Sequence, residues 1–232
     1  MAFLVDVVPG GSVGIAIIIL TILVKLALFP LSQRSIENQA KMNFLTPEIN
    51  KIKASGVSKE EQAKQTFELY KKHKTNPFSG CLLVLIQFPI IIALYSVFFR
   101  GINFSPEILY SFVHVPDQIN NLFFGTIDLT QKSLILAILA SVSQFFQAHY
   151  MPKPPASATN TGSFQESLSK SMAMNMKYFF PILVFAFLYT GVPGIKPLSA
   201  AVALYWLTSN LFAIGQQIYS NRKKLTLVEV IK

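Results

Sequence analysis

A single lysine, Lys25, lies within the first long apolar run of the chain, residues 13–31, and is the residue there most able to do chemistry. A helix needs about 20 mostly apolar residues to cross a hydrocarbon core about 30 Å thick, so this run is long enough to span a membrane. An ammonium at the centre of a span costs about 2.5 to 3.5 kcal/mol on insertion scales. Lys25 therefore either faces a wet, functional cavity or extends its flexible stem to the headgroups.

Neutral polar side chains in the other apolar runs are the candidate partners of this cation. No Asp or Glu lies within these runs, so a buried ion pair cannot neutralise Lys25 and a water-filled groove is the more economical explanation. Each polar group taken alone is more simply a hydrogen-bonding contact between neighbouring helices. The candidates are Gln87, Ser96, Ser141, Ser143, Gln144, Gln147, Thr208, Ser209 and Asn210.

Motifs for enzymatic catalysis are scarce in the chain. The histidines His73, His114 and His149 lie in different segments without the spacing of metal ligands, and there is no GxxxxGK[ST] phosphate-binding loop. A catalytic pair of a serine nucleophile and a lysine base is excluded, because Ser32 lies about 10 Å along the helix axis from Lys25 and the two side chains would be too far apart to touch. The sequence therefore predicts a protein that is not an enzyme and that uses no cofactor and no metal.

The elements that must position Lys25 and its partners are apolar helices. The composition is 52% hydrophobic and only 13% charged, far from the roughly 25% charge of an ordinary soluble domain. The apolar runs do not alternate with polar residues as the strands of a membrane β-barrel do. We therefore predict an all-α integral membrane protein with five transmembrane helices, at 13–31, 81–99, 133–151, 173–191 and 198–218.

The distribution of basic residues predicts the orientation of these helices. Most of the 20 Lys and Arg residues fall in three segments, 32–80, 152–172 and 219–232, which five spans would place on one side of the membrane. The positive-inside rule then predicts an outer N-terminus and an inner C-terminus. The remaining segments, 1–12, 100–132 and 192–197, are predicted outside. The net charge of +9 is explained by this topology, so it does not indicate a direct nucleic-acid function.

Residues 32–80 are too polar to enter lipid, and their pattern predicts a helical hairpin. Ser58-Lys-Glu-Glu61 is a capping box, and Gly56 suits the end of a preceding helix, so the turn is predicted at 53–58. Thr46 and Pro47 predict a cap or a kink within the first arm. The alternative is a solvated spacer, which fits loops of this charge content.

Three fragments, "LTILVKLALFPLS", "NPFSGCLLVLIQFPIIIALYSVF" and "ALYWLTSNLFAIGQQ", together resemble the YidC/Oxa/Alb membrane insertases, in particular their compact five-span bacterial members. The resemblance covers nearly the whole chain and implies a multi-pass membrane protein. We predict the bacterial plasma membrane over an organelle, because no transit peptide is recognisable ahead of the first span. It implies that nascent membrane proteins are moved from the cytoplasm into the bilayer, alone or with the Sec translocon. Implied partners are these clients and the lipid bilayer, with the translocon, the ribosome and the signal recognition machinery as further candidates.

The resemblance also implies a site. In this family the first span carries a basic residue, usually Arg, in a hydrophilic groove that is open to the cytoplasm and to lipid, and Lys25 occupies that position. The implied groove residues are Lys25, Gln87, Trp206, Thr21, Gln144 and Asn210. A lysine keeps the charge but lacks the planar fork that binds a carboxylate through two hydrogen bonds. The rival functions are a transporter or channel subunit, a scaffold subunit of a membrane complex and an intramembrane protease.

Overall fold

A computed structural model describes residues 1–76, 89–90, 92–93, 96, 118–151, 175–191 and 197–230, except for the side chains of 176 and 222–230. Most of the predicted span at 81–99, the linker at 152–172 and more than half of the loop at 100–132 lie outside these residues. The described part is mostly helical. Its helices are α1 (Ala2–Val7), α2 (Val13–Ala27), α3 (Phe29–Ala54), α4 (Lys59–Lys72), α5 (Leu134–Tyr150), α6 (Phe180–Phe185) and α7 (Ala200–Val230).

The predicted first span is a bent pair of helices. Helix α2 ends at Ala27, and α3 continues from Phe29 at an angle of 60°. The bend follows from Pro30 in the first turn of α3, because proline has no N–H to donate to the carbonyl four residues earlier. Among the described residues, this bent pair alone is long and apolar enough to cross a membrane, and each individual helix falls short.

The polar segment after the bend forms two helices joined by a short turn. Gly56 has a φ of +72°, which suits a glycine at the end of α3, and the Ser58 hydroxyl accepts the Glu61 N–H at 3.3 Å. The predicted cap at Ser58 is therefore confirmed. Of the two alternatives predicted at Thr46 and Pro47, a cap or a kink, the cap is wrong, because α3 continues through Pro47 and the Thr46 hydroxyl donates to the Met42 carbonyl within the helix at 3.4 Å. The kink stays a prediction.

A small antiparallel ribbon corrects the all-α prediction. Its strands β1 (Leu122–Phe123) and β2 (Ile127–Asp128) lie within the predicted outer loop. Phe123 packs against the start of α2, so closely that a Cβ at Gly14 would overlap its ring. The ribbon therefore supports the N-terminal end of the helix that carries Lys25.

The remaining helices differ in length from the predicted spans. Helix α5 lies inside the predicted 133–151 and begins directly after the predicted Ser133, whose hydroxyl accepts the Leu136 N–H. Helix α6 is short and flanked by the π-helical turns Asn175–Phe179 and Ala186–Thr190, and Pro181 in its first turn cannot complete the regular hydrogen-bond ladder. Helix α7 continues past residue 218 into the predicted tail.

The buried apolar core lies at one end of the helices, near the ribbon. It brings together the N-terminal halves of α2 and α5, the C-terminal side of α6 and the first turns of α7. Small residues such as Ala16, Ala137, Ala140 and Ala201 are fully buried there and permit close packing of the helices. The buried polar residues of these helices that are described lie beyond this core, around the middle of α2, α5 and α7.

Candidate functional site

Two predicted site residues, Gln144 of α5 and Trp206 of α7, contact each other directly. The indole Nε1–H of Trp206 donates to Oε1 of Gln144 at 2.9 Å. Gln144 is buried and Trp206 is half-buried. A buried amide requires partners for its polar atoms, so this hydrogen bond fixes the rotation of α7 against α5 at this level.

The next turn of α7 repeats this contact with a third predicted residue. The Asn210 amide donates to the Ser143 hydroxyl at 3.0 Å and approaches the Ala140 carbonyl at 3.4 Å. Ser143 in turn donates to the Ala140 carbonyl at 2.7 Å, and both Asn210 and Ser143 are buried. Because Trp206 and Asn210 are four residues apart, they share one face of α7. We call Ser143, Gln144, Trp206 and Asn210 the α5–α7 polar cluster.

Thr21 and Lys25 lie on α2, which also packs against α7. They are four residues apart and so face the same direction. Thr21 is buried, and its hydroxyl donates to the Ile17 carbonyl of its own helix at 2.6 Å. Lys25 is partly exposed and lies in the last turn of α2, next to the bend, rather than well inside a continuous span as predicted. Thr21 thus contributes a buried hydroxyl to the face that carries the cation.

The sequence reasoning missed a second polar contact, between α3 and α7. The Gln216 amide donates to the Ser32 hydroxyl at 2.7 Å, and one turn further the Gln33 amide donates to the Ser220 hydroxyl at 3.2 Å. Gln216 and Ser220 are buried. We call these four residues the α3–α7 polar cluster. The signal for it was the presence of two adjacent polar residues, Ser32-Gln33, at the inner end of one predicted span and of Gln216-Gln217 at the inner end of another.

The structure therefore joins some of the predicted site residues and leaves others apart. Gln144, Trp206 and Asn210 form one hydrogen-bonded cluster with Ser143. Thr21 and Lys25 approach α7 from α2 without a hydrogen bond from Thr21 to that cluster. Gln87 lies outside the described residues. In the part of the chain that is described, no group of three His, Cys, Asp or Glu side chains could hold a metal ion.

Comparison with known proteins finds a matching family and relatives of the chain. The family model described as "60Kd inner membrane protein" matches residues 4–226. The membrane protein insertases YidC of Francisella tularensis subsp. novicida (strain U112) and subsp. holarctica (strain LVS) are each 33% identical over 211 residues, which cover 89% of this chain and 32% of the relative. The chain thus spans about a third of the length of the curated relatives it matches.

A solved structure shares the fold. The crystal structure of an active YidC insertase with its first transmembrane domain resolved superimposes with a TM-score of 0.51 at 22% sequence identity, covering 87% of this chain and 40% of that chain. The chain belongs to the 60Kd inner membrane protein family, the YidC/Oxa family of the sequence resemblance. That resemblance is therefore confirmed.

Proposed function

We propose that the protein is a membrane insertase that moves hydrophilic segments of nascent membrane proteins into and across the bilayer. The observation that carries the proposal is the α5–α7 polar cluster, which lies between apolar helices and next to the helix of Lys25. Polar groups inside a membrane are costly and mark the paths of polar substrates. Membership of the insertase family supports the same function.

The physical basis of the proposed activity is a partial solvation of the client. A polar segment that leaves water without any hydrogen-bond partner pays several kcal/mol per group, and a polar, hydrated face lowers this barrier. Lys25 attracts acidic residues of the arriving segment, with a force that low-dielectric walls increase. This work requires no nucleotide, no cofactor and no covalent chemistry, so the protein acts as a catalyst of insertion and not as an enzyme in the usual sense.

The apolar part of the client then moves into lipid along the outer faces of the helices. Helix α5 exposes a continuous apolar face with helical spacing, formed by Ile135, Ile138, Leu139, Val142 and Phe146. Such a face fits contact with lipid chains or with the apolar segment of a client. Burial of that segment, at about 25 cal/mol per Å² of apolar surface, drives the reaction forward.

The predicted topology completes the proposal. The protein lies in the bacterial plasma membrane with five spans, its N-terminus outside and its C-terminus inside. The groove is lined by Lys25, Thr21, Gln87, Gln144, Trp206 and Asn210. The helical hairpin of α3 and α4 faces the cytoplasm, where it receives clients or contacts the ribosome, the targeting machinery or the Sec translocon. Long structured connections of this kind tend to have a function.

Insertion into liposomes tests this function. The client is a short single-span protein with an acidic outer tail, and a matched client carries Asn and Gln in place of the acids. Both are offered to liposomes with and without the purified protein, and insertion is scored by protease protection. We expect protection above that in empty liposomes, with the acidic client inserting faster than its neutral counterpart. Protection that never exceeds that in empty liposomes would contradict the proposal.

A further inference from the structure

The α3–α7 polar cluster lies just beyond the bend that follows Lys25, where α3 leaves α2. The Ser32 hydroxyl accepts the Gln216 amide at 2.7 Å and lies 3.0 Å from both the Gln216 Oε1 and the Phe29 carbonyl. Gln33 donates to the Ser220 hydroxyl and to Glu37, each at 3.2 Å. The hydrogen bonds between Ser32 and Gln216 and between Gln33 and Ser220 therefore join neutral amides and hydroxyls of α3 and α7.

Such a contact can open at little net cost. Water replaces each amide or hydroxyl hydrogen bond with a comparable one. The net free-energy cost of separating α3 from α7 at this level is therefore small. One group even gains by it, because Gln33 Oε1 is buried and accepts no hydrogen bond within the described part of the chain. A buried acceptor without a donor is a strained arrangement that contact with water or with another donor relieves.

The opposite end of α2 cannot open in the same way. Val13, Ala16 and Ile17 are fully buried in the apolar core with the first turns of α7. Separating these residues would expose apolar surface without any compensating hydrogen bond. Movement of α3 away from α7 is therefore confined to the polar end, with the break at Leu28 as the hinge.

We propose that the α3–α7 polar cluster is the entry site for the hydrophilic segment of a client, where peptide groups of the client replace the interhelical hydrogen bonds as α3 moves away from α7. An extended peptide presents N–H donors and C=O acceptors in alternation, and the side chains of Gln33, Gln216, Ser32 and Ser220 offer both kinds of partner. The segment then reaches Lys25, which lies beyond the bend on α2. This assignment rests on the insertase function proposed above.

Bridging the two helices tests the required movement. Ser32→Cys and Gln216→Cys are combined with Cys81→Ser, and a short bis-methanethiosulfonate reagent links the two thiols reversibly. We expect the bridged protein to insert the client at least about tenfold more slowly than the unbridged one, and reduction to restore the rate. The two single-cysteine variants are the controls, and each is compared with its own untreated sample; the reagent should slow them much less than it slows the double variant, so that the effect is assigned to the bridge and not to the substitutions. An unchanged rate in the bridged protein would overturn the proposal.

Disulfide formation with the client tests the site itself and does not depend on the bridge. A client with a cysteine in its hydrophilic tail is offered to Gln33→Cys and to Arg34→Cys, both with Cys81→Ser, and copper phenanthroline is added as the oxidant of the two thiols. These positions are neighbours, but residue 33 contacts α7 and Arg34 is exposed. We expect the disulfide at 33 to form at least about tenfold faster than at 34, and equal rates would overturn the assignment.

Failure of the entry site can be told apart from failure of the insertase function. If wild-type protein inserts no client, both proposals fail. If wild type inserts the client while either test gives the contrary result, only the entry site fails.

Discussion

Removing the hydrogen bond between Trp206 and Gln144 should measurably loosen the contact between α5 and α7. Gln144→Met keeps the length and nearly the volume of the side chain but removes the acceptor that lies 2.9 Å from the indole Nε1. Trp206→Phe removes the donor instead. Each single variant leaves one polar group without its partner in a buried or half-buried position, whereas the double variant removes both groups.

The expected loss of stability follows from the net energy of hydrogen bonds in water and between membrane helices. A protein hydrogen bond contributes about 0.5 to 1.5 kcal/mol net in water, and side-chain bonds between membrane helices average about 0.6 kcal/mol. We therefore expect Gln144→Met to cost about 1 kcal/mol in the free energy of unfolding, which is roughly a fivefold change in the folded-to-unfolded ratio. The coupling energy from the double-mutant cycle should be about 0.6 kcal/mol.

Unfolding in mixed micelles of increasing denaturing detergent, followed by far-ultraviolet circular dichroism, measures these energies. Trp206 is the only tryptophan of the chain, so its fluorescence also reports the change in polarity at the site in Gln144→Met. Gln147→Met is the matched control, because Gln147 lies on the same helix and its side chain makes no hydrogen bond within the described residues. A coupling energy indistinguishable from zero would refute the reasoning.

Two further predictions concern the elements that hold the site in place. Ser58→Ala should lower the stability of α4 by about 1 kcal/mol, because the Glu61 N–H loses its acceptor. Hydrogen exchange of that amide should then be about fivefold faster than in wild type. An unchanged exchange rate would exclude a stabilising cap. Gly14→Ala should lower the free energy of unfolding by about 1 to 3 kcal/mol in the same detergent experiment, because the added Cβ overlaps the ring of Phe123. In a Phe123→Ala background the same substitution should lower it much less. An equal loss of stability in both backgrounds would contradict the packing of Phe123 on Gly14.

The sequence predicted helix positions best where local signals were strong. Helix α5 begins at Leu134, directly after Ser133, whose hydroxyl caps the helix before a long apolar run. The bend at Leu28 was missed because periodicity and hydropathy continue through it, and only Pro30 signals a break. The π-helical turns around α6 depend on how the backbone adapts to its neighbours, and apolar spacing carries no such information.

The candidate site was predictable in its residue types but only partly in its contacts. The sequence singled out Gln144, Trp206 and Asn210 as polar residues of apolar helices, yet the pairing of Gln144 with Trp206 depends on the rotation of each helix about its axis. Gln216 escaped attention because a polar residue near the predicted end of a span normally marks the interface with water. Its contact with Ser32 arises because α7 continues as a helix and α3 bends back against it.

The role of the Lys25 charge is the central claim, and insertion of the acidic client by charge variants of Lys25 tests it most directly. Wild type, Lys25→Arg, Lys25→Ala and Lys41→Ala are compared in liposomes by protease protection, with Lys41→Ala as a control that removes an exposed charge from α3. We expect wild type, Lys25→Arg and Lys41→Ala to insert the client at similar rates and Lys25→Ala to be at least about tenfold slower. Equal insertion by all four proteins would contradict an electrostatic role for Lys25.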